Sequence, residues 1–266
     1  MKVYISADLE GVAGACQWSD VTIGEWDYAI TREQLHREVQ AACTGALQAG
    51  ASEIVVKDAH DSGRNLDPSR LPAHVTLIRG WSGHPYSMIQ GLDDSFAALI
   101  MIGYHSGAGS GANPLAHTLN PDLRQVRVNG QPMSEFHLMA YAAATMGIPT
   151  VFVSGDQGLC QEVLTFDPAM TTVSTLQGVG ESVVVTPPHQ VLTAITAGVT
   201  QSLHRHPPVQ PTPPPEPLVL HVDYKHPPLA YRRSFYPGAQ LVSDATVELH
   251  PASWWELMQA LRFIGF

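Results

Sequence analysis

Lys2-Val3-Tyr4-Ile5-Ser6-Ala7-Asp8-Leu9-Glu10-Gly11 opens the chain with a β-branched and aromatic run that breaks into two carboxylates and a glycine. Residues of that kind favour a pleated, buried surface, so 2–7 reads as a strand with Asp8 and Glu10 at its carboxyl end. Residues 31–50 then read as a helix. Leu35, Val39, Ala42 and Ala46 recur at near-helical spacing, Thr31 with Gln34 resembles a capping box, and Gly50 stands where a C-cap belongs. Glu53-Ile54-Val55-Val56-Lys57 is a second short strand. The order β-α-β predicts a parallel pair joined by a crossover helix.

The same alternation continues along the chain. Residues 75–79 and 97–103 read as strands, the latter almost wholly apolar, as expected of a strand covered on both faces. Arg124-Gln125-Val126-Arg127-Val128 followed by Asn129-Gly130 carries the hairpin signal. Ser134 reads as the N-cap of a helix through Met146, closed by Gly147. Residues 150–153 read as another buried strand running into Ser154-Gly155-Asp156, and 191–204 as a helix. At 207–217 seven prolines fall in eleven residues, a composition that excludes helix and inner strand and predicts an extended surface connector. Beyond it, 217–224 and 240–249 read as strands and 251–263 as a terminal helix. The expectation is an α/β fold with a mostly parallel central sheet and helices on both faces, plus a smaller C-terminal α+β portion. Three stretches result: a metal-binding catalytic region at 1–206, the connector at 207–217, and 218–266 packed on the same unit.

Composition narrows the function. The chain has 266 residues, 44% of them hydrophobic and only 14% charged, too apolar for a disordered polymer. Lys plus Arg number 14 against 24 Asp plus Glu, a net charge of −10. Such a chain is a poor partner for a phosphate backbone and attracts cations instead, whether metals or substrates with a free ammonium. The opening run is too short for a signal peptide, and the apolar stretch 96–104 is about half of the ~20 residues a membrane helix needs. Cys16, Cys43 and Cys160 are odd in number and far apart, so free thiols in a reducing cytosol are expected.

The chemistry-bearing residues fall at strand ends. Asp8 and Glu10, two apart in extended chain, point to one side; a solvated turn would also account for them. Asp58-Ala59-His60 follows the second strand, His105 the 97–103 strand and Asp156 the 150–153 strand. In an open α/β sheet those ends share the carboxyl edge, where ligands bind. Oxygen and imidazole donors without thiolate suit zinc, with manganese also compatible. His117 follows a glycine-rich, long and flexible loop fit to carry a mobile catalytic group. Glu135 opens the Ser134 helix, where it also complements the helix dipole. His137 reads as structural, and most other histidines, His36 among them, read as surface residues. Gly107-x-Gly109-x-x-Ala112 mimics a dinucleotide fingerprint, but Asn113-Pro114 follows where a helix should begin, which speaks against a nucleotide site.

Taken together, Ala7-Asp8-Leu9-Glu10-Gly11, Lys57-Asp58-Ala59-His60, Gly91-Leu92-Asp93-Asp94, Gly103-Tyr104-His105, Ala116-His117-Thr118, Val128-Asn129-Gly130, Ser134-Glu135 and Ser154-Gly155-Asp156 resemble, in order, the zinc D-aminopeptidases of the bacterial dipeptide-operon type. The resemblance covers most of the chain and is weakest from the proline-rich stretch onward. It implies two zinc ions per chain, with Asp8 bridging them, Glu10 and His105 completing one, and His60 and Glu135 holding the other. It gives His117 the catalytic role. It further implies a short peptide substrate with a free N-terminal D-residue, and a homo-oligomer built as a ring of dimers, a decamer. Asp58 then becomes a partner orienting a ligand, and Asp156 a candidate for the substrate ammonium. Two other readings compete: a binuclear metal phosphoesterase, whose Gly-Asp-x-x-Asp and Gly-Asn-His segments the sequence lacks, and a non-catalytic metal- or nucleotide-binding module.

Overall fold

A computed structural model describes residues 1–206 and 208–266. Pro207, the first residue of the proline-rich connector, lies outside the described residues. The central element is a seven-stranded sheet of β1 (Lys2–Ala7), β2 (Glu53–Asp58), β3 (Val75–Ile78), β4 (Ala98–Tyr104), β7 (Thr150–Asp156), β8 (Thr171–Val179) and β9 (Ser182–Val185). Their order is β3-β2-β1-β4-β7-β8-β9. All neighbours run parallel except the edge pair β8–β9. β1 lies between β2 and β4, with Ala7 opposite both Asp58 and Ile102. The ends of β1, β2 and β4 therefore meet at one point of the carboxyl edge. β4 is buried along its whole length, as its apolar run predicts.

Helices flank this sheet: α1 (Trp18–Val21), α2 (Tyr28–Gln48), α3 (Glu135–Thr145), α4 (Gln157–Phe166) and α5 (Pro188–Leu203). α2 buries Leu35, Val39, Ala42 and Ala46, the residues whose spacing announced it. It begins a turn earlier than Thr31, at Tyr28, so Thr31 is a buried interior residue and not a cap. Its upstream segment, Gly24 to Asp27, lacks the apolar periodicity that would have placed the start. His36, read as a surface residue, is buried in this helix, where its Nε2 accepts from the Asp67 amide (3.1 Å).

A second, antiparallel sheet is assembled from both sides of the proline-rich stretch. It comprises β5 (Leu123–Val128), β6 (Gln131–Pro132), β10 (Leu220–Tyr224), β11 (Gln240–Ser243) and β12 (Thr246–Leu249), ordered β11-β12-β10-β5-β6. Asn129 and Gly130 turn the β5–β6 hairpin with positive φ at both positions. The predicted strand 240–249 is a hairpin, folded at Asp244–Ala245. His221 on β10 is paired across the sheet with Glu248 on β12 (2.8 Å). α6 (Pro227–Arg233) and α7 (Trp254–Ile264) complete the chain. Trp254 anchors α7 by donating its indole N–H to the Leu138 carbonyl of α3 (3.2 Å). No helix among the described residues is long and apolar enough to cross a membrane.

Candidate metal centre

Backbone packing sets the position of the first two carboxylates. The turn after β1 lies against the end of β4: the Gly11 amide donates to the Gly103 carbonyl (2.8 Å), and a Cβ on Gly11 would fall 1.7 Å from the Tyr104 carbonyl oxygen. Gly103 is equally constrained, with φ +70° and its would-be Cβ 2.3 Å from the Asp8 carbonyl oxygen. Only glycine permits both approaches, and together they aim Asp8 and Glu10 at the junction of β1, β2 and β4. Glu38 of α2 holds the turn from behind by accepting from the Ala13 amide (2.9 Å).

Five buried side chains converge there. His60 Nδ1 is 2.9 Å from Glu10 Oε2 and 3.4 Å from Asp8 Oδ1. His105 Nε2 is 3.5 Å from Asp8 Oδ2 and 3.4 Å from Glu135 Oε2. The donor atoms form two triplets that share Asp8: Asp8, Glu10 and His60, and Asp8, His105 and Glu135, each within 4.8 Å. This pairing differs from the one the resemblance implies. Glu10 stands with His60 because β1 and β2 are neighbours, and Glu135 stands with His105 because the start of α3 lies over the end of β4. His117 Nε2 sits further out, 3.9 Å from Glu10 Oε1 and 3.7 Å from Glu135 Oε1. It also joins a third triplet with Glu10 and His105. Its ring stacks on His105 at 4.4 Å and meets the edge of Trp18 at 5.4 Å.

The far nitrogen of each imidazole faces a backbone carbonyl. His60 Nε2 donates to Val21 (2.7 Å), His105 Nδ1 to Ser106 (2.9 Å) and His117 Nδ1 to Leu115 (2.9 Å). A carbonyl only accepts, so these nitrogens carry the proton, and the nitrogens facing the cluster present lone pairs whenever the rings are neutral. Asp8 Oδ2 and His105 Nε2 are buried with no hydrogen-bond partner among the described residues, and Glu10 Oε2 has only the His60 Nδ1 contact at 2.9 Å. Unsatisfied donors and acceptors inside a protein are costly unless something else binds them. Burial, followed by the nearby Glu10 charge, pushes the Asp8 carboxyl well above its usual range. Burial opposes charge on His60 and His105 too, yet Glu10 and Glu135 respectively outweigh it and hold both imidazoles well above normal. Burial and the adjacent His105 instead lower His117. Three carboxylates forced together thus demand positive charge, and oxygen and nitrogen donors in this arrangement fit a pair of divalent ions.

The remaining sequence candidates lie outside the cluster. Asp58 accepts from the Asn65 and Leu66 amides (2.6 and 2.7 Å) and from Asn65 Nδ2 (2.8 Å), which in turn donates to the His60 carbonyl (2.8 Å). It orders the turn that carries His60 without touching the ring. Asp156 does not line the cavity over the cluster. It is fully buried and caps α4 through the Leu159 amide, while also accepting from the Ser106 amide, Ser106 Oγ and Asn113 Nδ2. The loop before His117, expected to be flexible, is tethered by those bonds and by Thr118 Oγ1, which accepts from the Ala108 amide and donates to the Met133 carbonyl (3.0 Å each). No helix opens after Gly107, so the dinucleotide mimic has no phosphate site.

A cavity of about 300 Å³ opens over the cluster, lined by Asp8, Glu10, His60, His117 and Glu135 and also by Trp81, Met88 and Arg262. The last three escaped the sequence reading. They come from separate loops and from the terminal helix, with no shared spacing to link them to the carboxylates.

A family model described as D-aminopeptidase matches residues 1–263. The chain belongs to that family. A D-aminopeptidase of Bacillus subtilis (strain 168) is 31% identical over 174 residues, which is 65% of this chain and 63% of that relative. The aligned chain therefore spans under two thirds of the length of this curated relative. A solved structure, described as the Zn-dependent D-aminopeptidase DppA from Bacillus subtilis, a self-compartmentalizing protease, superposes with a TM-score of 0.94 at 27% identity. That superposition covers 100% of this D-aminopeptidase-family chain and 97% of DppA. The seven-stranded sheet with its flanking helices is the family's fold.

Proposed function

We propose that this chain is a zinc-dependent aminopeptidase that releases N-terminal D-amino acids, such as D-alanine, from short peptides and amides. The observation that carries the proposal is the pair of carboxylate–imidazole triplets sharing Asp8 beneath an open cavity, in a member of the D-aminopeptidase family. Asp8, Glu10 and His60 would hold one zinc, and Asp8, His105 and Glu135 the other, with Asp8 as the bridge. Paired divalent ions polarise a scissile carbonyl and lower the pKa of water, the chemistry the bound pair would supply.

The chain's own groups supply the rest. The Val21, Ser106 and Leu115 carbonyls fix each imidazole in one tautomer. Burial disfavours charge on His117, which presents its Nε2 to the cavity. It is placed either to move a proton between attacking and leaving groups or to attack directly. Its longer distances to the carboxylates favour this over a role as a sixth ligand. A homo-oligomer forming a ring of dimers, a decamer, and residence in the reducing cytosol are parts of the same proposal. The self-compartmentalizing description of DppA supports the first, and the free Cys16, Cys43 and Cys160 support the second.

A paired assay with metal analysis on one sample tests the reading. Zinc near two per chain with release of D-alanine from D-alanyl amides, and little from L-alanyl amides, is the expected result. Phosphate-ester turnover in its place would favour the phosphoesterase, and bound zinc without turnover the non-catalytic module.

A further inference from the structure

Besides its carboxylates and imidazoles, the cavity over the metal centre holds one guanidinium, that of Arg262, the sole lysine or arginine of its lining among the described residues. Arg262 projects from the last turn of α7 and is half-buried. Its guanidinium carbon lies 4.7 Å from the centre of the Phe266 ring, an arrangement that holds a cation in place without neutralising it. Several other arginines are bonded, Arg70 to Glu33, Arg127 to Asp223 and Arg233 to the carbonyls of Phe263 and Phe266, and those without a side-chain partner, such as Arg37 and Arg124, lie away from this cavity. The Arg262 side chain makes no hydrogen bond among the described residues, and no carboxylate oxygen, that of Asp61 included, comes within the 4.0 Å of an ion pair.

The wall shared with Arg262 is also ordered. The Trp81 indole N–H donates to the Asp61 carbonyl (2.6 Å), and Lys57 Nζ lies 3.9 Å from the Trp81 ring centre. Lys57 is itself bonded to the Asp58 and Gly80 carbonyls, so Trp81 is braced on both its face and its edge. A guanidinium presents paired N–H donors matched to the two oxygens of a carboxylate. A fork already stacked on a ring loses little freedom when it binds one. Two divalent ions would satisfy Asp8, Glu10 and Glu135, leaving Asp61 as the remaining carboxylate of the lining, outside ion-pair distance of Arg262.

We propose that Arg262 binds the C-terminal carboxylate of the substrate, making the preferred substrates dipeptides and other very short peptides with a free carboxylate in place of amides or capped peptides. This rests on the aminopeptidase reading of the same cavity. The scissile end enters toward Asp8, Glu10, His60, His105 and Glu135, and the carboxylate is held by Arg262 at the end of the molecule that leaves.

The test uses the zinc-loaded full chain with D-alanylglycine and D-alanylglycine amide, which differ only in charge at the far end. Wild type is expected to favour the free acid by about 10- to 100-fold in kcat/KM, mostly through KM, the range of a charge-assisted hydrogen-bonded pair. In Arg262→Gln that ratio falls toward one, and in Arg262→Lys, which keeps charge but not the fork, it falls between. An arginine that only supported α7 would lower both efficiencies together and leave their ratio unchanged, which would overturn the proposal. Equal use of both substrates by wild type would also overturn it while leaving the aminopeptidase reading intact. Zinc-loaded protein that cleaves neither substrate would remove both.

Discussion

Two regions of the same sheet edge carry buried carboxylates and differ in how those carboxylates are satisfied. At the end of β7, Asp156 accepts four hydrogen bonds, from the amides of Ser106 and Leu159, from Ser106 Oγ and from Asn113 Nδ2. At the ends of β1, β2 and β4, Asp8 and Glu10 face other charged groups; Asp8 Oδ2 has no hydrogen-bond partner in the described chain, and Glu10 Oε2 has only the His60 contact. Both regions obey the rule that groups at the carboxyl edge lie where ligands bind. Unfilled bonding capacity separates the site from the scaffold. The two are also linked. Asp156 fixes Ser106, whose carbonyl orients His105, so the saturated carboxylate holds a ligand of the unsaturated cluster.

Substitutions can break this contrast. The largest effect is expected from Asp8→Ala, which removes the carboxylate shared by both triplets. It should abolish zinc binding at both positions and all measurable peptidase turnover, while the metal-free protein melts no lower than metal-free wild type, because a buried carboxyl with an unpartnered oxygen has been removed. Metal analysis with a thermal melt in chelator checks both halves. His117→Ala comes next: bound zinc should stay near two per chain while turnover falls about 10²–10⁴-fold. Loss of zinc in that variant would make His117 a ligand.

Asp156→Ala should show the opposite pattern to Asp8→Ala. It leaves the buried donors of Ser106 unpaired, takes one of two acceptors from Asn113 Nδ2 and removes a helix cap, for a loss of about 3 kcal/mol or more in denaturant unfolding. Zinc-saturated protein should still carry two ions.

Glu38 stands between the two cases and gives the smallest effect. One of its oxygens accepts from Ala13 and Gln34 (2.9 and 2.8 Å), and the other has no partner among the described residues. Burial pushes its pKa up to about 7. A carboxyl that keeps its proton longer when folded makes stability fall as pH rises from the unfolded value of about 4.3 to about 7, and level off above that. Glu38→Gln should remove that slope and stabilise the protein at pH 8 by up to about 3 kcal/mol. Equal stability of variant and wild type across pH 4–8 would show that the side chain is ionised without penalty.

What the sequence revealed depended on how local the signal was. β1, α2, β2 and β4 were legible because their apolar residues follow the period of the element, and the β5–β6 hairpin because Asn129-Gly130 suits positive φ. α4 and the β8–β9 hairpin went unread: α4 is short with a glycine at its second position, and β8 opens with Thr171 and Thr172 in place of apolar alternation. α6 begins with two prolines in a segment that otherwise reads as loop. For the site, strand-end placement and the family resemblance gathered Asp8, Glu10, His60, His105, Glu135 and His117 as candidates. Which imidazole stands beside which carboxylate is a matter of strand order, and no local pattern encodes it. The same holds for the saturation of Asp156, whose partners Ser106 and Asn113 lie more than forty positions away in the chain.

Counting zinc in the folded wild-type chain by mass spectrometry under native conditions tests the central claim most directly. Asp8 as the shared ligand of two triplets predicts two ions per chain, taken up together from the metal-free protein. A protein that saturates at one ion, or binds none at micromolar zinc, would contradict it.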